Sequence, residues 1–185
     1  INKFGFKKTE KFRAQFLIET IADLKSQLEL LNIELLIYHD LPENVIPGIC
    51  DTYNISDVFL QMEWTKEEVD VESAVRSTVQ NTAWHAIYNH FLFHPDDINF
   101  EISKTPQVFS VFRKKLEKYV DIREEVQTNG QSKVNRIDNN TSIPTLSDLG
   151  FEEFKVHTHS AFPFNGGQTD ALNRLEDYFF NSKKL

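Results

Sequence analysis

Between Phe12 and Leu31 the apolar side chains fall at Phe12, Phe16, Leu17, Ile21, Leu24, Leu28 and Leu31, a period near 3.6. That spacing predicts a long amphipathic helix over Thr9–Leu31, capped by Thr9 and stopped by Asn32. Ile33–Tyr38 follows as a nearly unbroken apolar run, the pattern of a parallel strand covered on both faces. Proline fits poorly inside a helix, so Pro42 and Pro47 predict a turn and then a new helix start at Pro47, ending near Tyr53. Asp57–Met62 reads as the next short strand. Thr65 and Glu68 form a T-x-x-E capping box ahead of a helix reaching about Gln80. Trp84, Ala86 and Tyr88 alternate with His85 and Asn89, which predicts a strand over Trp84–Asn89 with one wet face. Thr105 and Pro106 open a further helix with Phe109, Phe112, Leu116 and Tyr119 on one side. Leu172, Leu175 and Phe179 place a last helix over about Gly167–Asn181.

Strands alternating with amphipathic helices predict the α/β class: an open parallel sheet with helices on both faces. The expected strands are Ile33–Tyr38, Asp57–Met62 and Trp84–Asn89, with the long helix packed on them. From Arg123 to Asn140 the chain is polar without a periodic apolar face, as in a surface linker.

Composition narrows the possibilities. With 185 residues, 40% apolar content and 16 Phe, the chain can bury a core. A net charge of −8 argues against this chain gripping a phosphate backbone alone, since that requires Lys and Arg to displace counterions. Cys50 stands alone, which excludes an internal disulfide and fits a reducing, cytoplasmic or organellar compartment. No apolar run approaches the ~18 residues of a membrane span, so no membrane partner is expected. The N-x-S/T triplets at Asn54, Asn139 and Asn140 then read as chance matches.

Glu63 and Trp64 hold the most suggestive position, between the carboxyl end of a strand and the start of a helix. In open parallel sheets that edge forms the ligand crevice. A carboxylate there can accept hydrogen bonds from a heterocycle's amino groups, and an indole can supply a stacking face. The residues alone favour a solvated loop acid and a Trp packed under the helix. Gly166 and Gly167 lack the spacing of a phosphate loop and read as a turn. His157 and His159 lack a third metal ligand. Cys50, beside Ile46 and Ile49, reads as an inert buried thiol. Ser160 has no nucleophile context, and no catalytic residue is assigned. Arg113, Lys114, Lys115 and Lys118 complement the end of a helix dipole.

Five stretches carry a further signal: KFRAQFLIETIADL (Lys11–Leu24), MEWTKEEVDVE (Met62–Glu72), TPQVFSVFRKKLEKY (Thr105–Tyr119), PTLSDLG (Pro144–Gly150) and SAFPFNGGQTDALNRLEDYFF (Ser160–Phe180). In this order they resemble the amino-terminal half of the cryptochrome/photolyase flavoproteins, most closely the DASH type. The resemblance implies a partial antenna-binding α/β domain over residues 1–122, an interdomain linker over 123–165, and the first helix of a flavin-binding helical domain over 166–185. It implies a parent protein that binds FAD and a methenyltetrahydrofolate-type antenna. Such proteins absorb blue light and either act as photoreceptors or, as lyases, split cyclobutane pyrimidine dimers in DNA, often single-stranded. It makes Glu63 and Trp64 the cofactor-binding candidates, since an acid at the matching place binds the pterin antenna. The family's opening strand has no counterpart here, nor do the residues that hold the flavin. The chain is therefore expected to be a fragment, inactive alone and holding no FAD of its own. The space of the missing strand is expected to be closed by reordered strands or filled by another segment. The alternative is a free-standing α/β nucleotide- or pterin-binding or docking module without enzymatic activity.

Overall fold

The computed structural model describes residues 9–127, 137–160 and 163–182. They belong to two compact units, one of Asp40–Gln127 and one of Ile1–His39 with Thr128–Leu185. Residues 128–136 of the expected linker, and the start and end of the chain, lie outside the described residues.

The unit of residues 40–127 is built on one strand–helix–strand crossover. Helix α1 (Lys11–Leu30) belongs to the other unit; here the first element is α2, Pro42–Tyr53, with Pro42 in its first turn. The expected new start at Pro47 is not found, because Pro47 lies inside one continuous helix. Proline there forfeits a single backbone bond, to the carbonyl of Glu43. Cys50 is buried with Val75 and Val79, and Ile46 packs against them, which offsets that loss. Asn54 then closes the helix in the left-handed conformation, φ 50°. The N–H of Ile55 reaches back to the Cys50 carbonyl at 3.0 Å, and that of Asn54 to Asp51 at 3.5 Å, the reciprocal pair of a Schellman turn.

Strand β1 (Asp57–Gln61), helix α3 (Lys66–Thr78) and strand β2 (Ala83–Ile87) follow. The strands pair in parallel, with Phe59 opposite His85 and Leu60 opposite Ala86. Burial alternates as the sequence predicts, with Val58, Leu60, Trp84 and Ala86 on the half-buried face. α3 starts after Thr65, as expected, but the reciprocal capping box is not formed: the Thr65 side chain makes no cap bond. Glu67 and Glu68 instead place negative charge on the first turn, where the helix dipole favours it. Helix α4 (Phe109–Tyr119) begins after the predicted Thr105–Pro106. The Thr105 hydroxyl donates to the Ile102 carbonyl at 2.7 Å and closes a separate turn over Ile102–Lys104. The Arg123 guanidinium clasps the Asp97 carboxylate through two bonds, 2.6 and 2.7 Å.

In the other unit, α1 ends at Asn32, φ 58°, as its sequence predicts. Ile33 N–H bonds to the Leu28 carbonyl at 3.0 Å and Asn32 N–H to Glu29 at 3.1 Å, again a Schellman pair. Ile33–Tyr38 is not a strand, contrary to expectation. A parallel strand needs a neighbour, and β1 and β2 pair with each other in the other unit. The segment's backbone finds side-chain partners instead: Asn139 Nδ2 donates to the Leu35 carbonyl at 3.0 Å, and Ile37 N–H donates to Thr141 Oγ1 at 2.9 Å. Asn139 also reaches Glu34 at 2.6 Å and is braced by Thr141 at 2.8 Å.

The long helix is expected on the strands; within its own unit it packs on α5, Gln168–Glu176. Asp23 of α1 accepts from the N–H groups of Gln168 (2.8 Å) and Thr169 (3.2 Å) and from the Thr169 hydroxyl (2.6 Å). Glu19 accepts from Gly166 N–H at 2.7 Å. A carboxylate from one helix therefore caps another. Both glycines are required. A Cβ at Gly166 would stand 2.2 Å from the Phe16 carbonyl oxygen, and Gly167 has φ 112° with its own Cβ position 2.8 Å from Asp23. After α5 the chain widens into a π-turn over Asp177–Asn181, where the helix was expected to end.

Two predictions test these ends. Asn54→Ala forces a Cβ-bearing residue without a local hydrogen-bonding side chain into the left-handed region and is expected to cost about 1 kcal/mol. Asn54→Gly should be close to neutral. Denaturant midpoints at unchanged m-value are the measurement, and equal losses for both variants would contradict the backbone argument.

The Thr169 hydroxyl first, and then the Thr169 and Gln168 amides, hold the Asp23 carboxyl below its usual value of 3.8. A depressed carboxyl supports the clasp above its unfolded range and gives it up as pH falls through its folded value. The Gln168 and Thr169 amide proton shifts are expected to titrate with a midpoint below 3.8. That step should be missing in Asp23→Asn.

Candidate functional site

Because β1 and β2 run parallel, their carboxyl ends emerge on one edge, and the residues that leave each strand meet there. Met62 N–H still donates to the Ile87 carbonyl at 2.9 Å, so Glu63 is the first residue of its loop free of the ladder. Glu63 Oε1 accepts from His90 Nε2 at 3.2 Å. Gln61, at the last position of β1, brings its side-chain amide to His90 Nδ1 at 2.9 Å. Both members of the acid–imidazole pair are about one-third open, with side-chain exposures of 37% for Glu63 and 35% for His90.

Trp64 stacks on Tyr88, ring centroids 5.0 Å apart at 22°. Phe91 meets the indole edge-on at 5.6 Å, and His94 meets Tyr88 edge-on at 5.5 Å. Trp64 is still 51% exposed. The edge therefore offers an acceptor carboxylate beside an aromatic surface that is only partly covered, the pairing suited to a flat heterocycle carrying amino groups.

On the inner side of β1 an open groove of about 440 Å³ runs between Ile46, Val58, Leu60, Val75 and Trp84, with Glu63, Glu67, Glu68 and Glu72 also among its lining residues. Glu72 is engaged by Arg76 at 2.8 Å, and the Arg76 guanidinium lies 5.3 Å over the Trp84 ring. On the outer face, Asp57 accepts from the Ser56 hydroxyl at 2.7 Å and pairs with His85 at 2.8 Å. These bonds, Ser56 first, hold the Asp57 carboxyl below its usual value.

The two candidates from sequence thus sit together on the sheet edge. Glu63 meets His90, and Trp64 stacks on Tyr88. Sequence reasoning missed Gln61, Tyr88, His90 and Phe91. The signal was present: Tyr88 continues the Trp84–Ala86 alternation, and a parallel partner must deliver its own loop to the same edge. At the Gly166 and Gly167 turn, the Gly166 amide is engaged by Glu19 and the following Gln168 amide by Asp23. His159 N–H donates to His157 Nδ1 at 3.1 Å, and no cluster of three metal-ligating side chains occurs among the described residues. Burial first, then the Asp51 charge, pushes the Cys50 thiol up. In α4, Arg113 meets Glu117 at 3.5 Å, while Lys115 and Lys118 lie over Phe100 and Tyr119. Among the described residues, no helix is long and apolar enough to cross a membrane.

Comparison with known proteins gives this geometry its context. The family model for DNA photolyase matches residues 2–131. A cryptochrome DASH of Gloeobacter violaceus is 35% identical over 98% of this chain, which covers 37% of that protein. A cryptochrome DASH of Xenopus laevis is 34% identical over 97% of this chain and 35% of its own length. Among solved structures, a Synechocystis cryptochrome superposes with a TM-score of 0.82 at 31% identity, over 95% of this chain and 37% of that one. A class III photolyase from Agrobacterium tumefaciens shares the fold at a TM-score of 0.70 and 15% identity, over 93% of this chain and 37% of its own. The chain spans just over a third of the length of these relatives, and its α/β architecture is theirs. It belongs to the DNA photolyase family, and its homologues are DASH cryptochromes.

Proposed function

We propose that this chain supplies the antenna-chromophore side of a DASH-type cryptochrome, with Glu63 and Trp64 receiving a methenyltetrahydrofolate-type pterin. The observation that carries this reading is the Glu63 carboxylate held by His90 beside the half-open Trp64 indole, on the carboxyl edge of a parallel sheet. The donor set fits the group. A pteridine presents an amino-pyrimidine edge that donates, which Glu63 can accept, and a planar face that Trp64 can cover. When bound, such an antenna absorbs near-ultraviolet and blue light and passes the excitation on. The chain's own part is to hold the heterocycle and fix its orientation.

In the whole protein this reading includes FAD in a helical domain and action as a blue-light photoreceptor or as a lyase on pyrimidine dimers in DNA. None of the described residues is assigned to the flavin. The net charge of −8 leaves the contact with DNA to other parts of the protein.

The experiment replaces the acid in the protein as expressed from its own gene. A charge-assisted hydrogen bond contributes about 1.5–3 kcal/mol, so Glu63→Gln is expected to weaken binding of 5,10-methenyltetrahydrofolate about tenfold or more. Trp64→Ala removes a stacking surface and is expected to weaken it about two- to tenfold. Near-ultraviolet absorption at sub-saturating ligand reads the occupancy. Unchanged occupancy in Glu63→Gln would make Glu63 only a loop acid.

A further inference from the structure

Resting on that reading of Glu63, we infer that His90 is a positioning residue for the ligand-binding carboxylate. Gln61 on the last turn of the β1 ladder and Glu63 just beyond it reach the same imidazole, which comes from the loop behind β2. A carboxylate can only accept, so His90 donates its Nε2–H to Glu63 Oε1 at 3.2 Å. The Gln61 side-chain amide lies beside the same ring, against both Nδ1 and Nε2.

The arrangement has a purpose that neither side chain has alone. Glu63 sits on a loop and is partly open to water, where a carboxylate would sample several rotamers. Ordering it on ligand arrival would weaken binding by about three- to tenfold, and His90 removes that cost in advance. His90 itself need not touch the ligand. The next residue, Phe91, lies against the Trp64 indole, so one short loop braces the acid and the stacking face together. The Tyr88 ring completes the stack from the end of β2.

The test is a double-mutant cycle in the protein expressed from its own gene, with 5,10-methenyltetrahydrofolate as the titrated probe. His90→Leu keeps the volume but removes the donor, and is expected to raise Kd about three- to tenfold. In a Glu63→Gln background the same change is expected to add less than about twofold, because its route is gone. His90→Gln restores an N–H donor and is expected to return both the affinity and the near-ultraviolet band position of the bound probe toward wild type. If leucine disturbs folding, as judged by the thermal midpoint, His90→Ala takes its place. Wild-type affinity in the donor-less variant, an equal loss in the Glu63→Gln background, or no rescue by Gln would each overturn the inference. Should Glu63→Gln weaken binding while His90→Leu does not, only the role of His90 fails. Unchanged binding in Glu63→Gln would remove the reading of the acid itself, and this inference with it.

Discussion

Two parallel strands cannot be joined by a tight turn, and that constraint organises the unit of residues 40–127. The chain must travel back along the sheet between β1 and β2, and α3 is the return path. Because α3 returns, both strands end on the same side. Glu63 and Trp64 leave one strand where Tyr88 and His90 leave the other, and only this topology brings residues about 25 positions apart in the chain within hydrogen-bond and stacking distance. An antiparallel hairpin of the same two sequences would place these pairs at opposite ends.

The inner face of the same pair decides what holds the return path down. Val75 of α3 and Val79 just past its end pack with Cys50 of α2, and Val58 and Trp84 of the sheet close against them. This is a small core, so the helix ends matter in proportion. Asn54 ends α2 by local backbone bonds, which lets the chain enter β1 within three residues.

Much of this was legible because it is local. The 3.6 period located α1, α4 and α5, the alternation after Trp84 located β2, β1 was read as the short strand before it, and Asn32 marked the end of α1 through a side chain that tolerates the left-handed region. What failed depended on partners. Ile33–Tyr38 has the composition of a buried strand, but composition cannot supply a neighbouring strand, and Asn139 and Thr141 meet its backbone instead. Pro47 was judged by local cost alone, whereas packing around Cys50 settles it. At the candidate site, Glu63 and Trp64 were singled out from the loop they occupy together with the family resemblance. His90 was missed because it meets Glu63 by a contact across strands, which no spacing along the chain records.

The clasp between Asp23 and the start of α5 also says something about anions. The first amides of a helix attract phosphates and sulfates, and the glycine pair before α5 gives an anion room to approach. Here the position is taken by a carboxylate that the chain carries itself. An intramolecular acid acts at an effective concentration of about millimolar or higher, and it never diffuses away. A free phosphate would have to evict this resident anion and also overcome the repulsion of neighbouring Glu19. The Gly166–Gly167 turn is thus an anion site whose occupant is encoded in the sequence, 143 residues before the turn it fills.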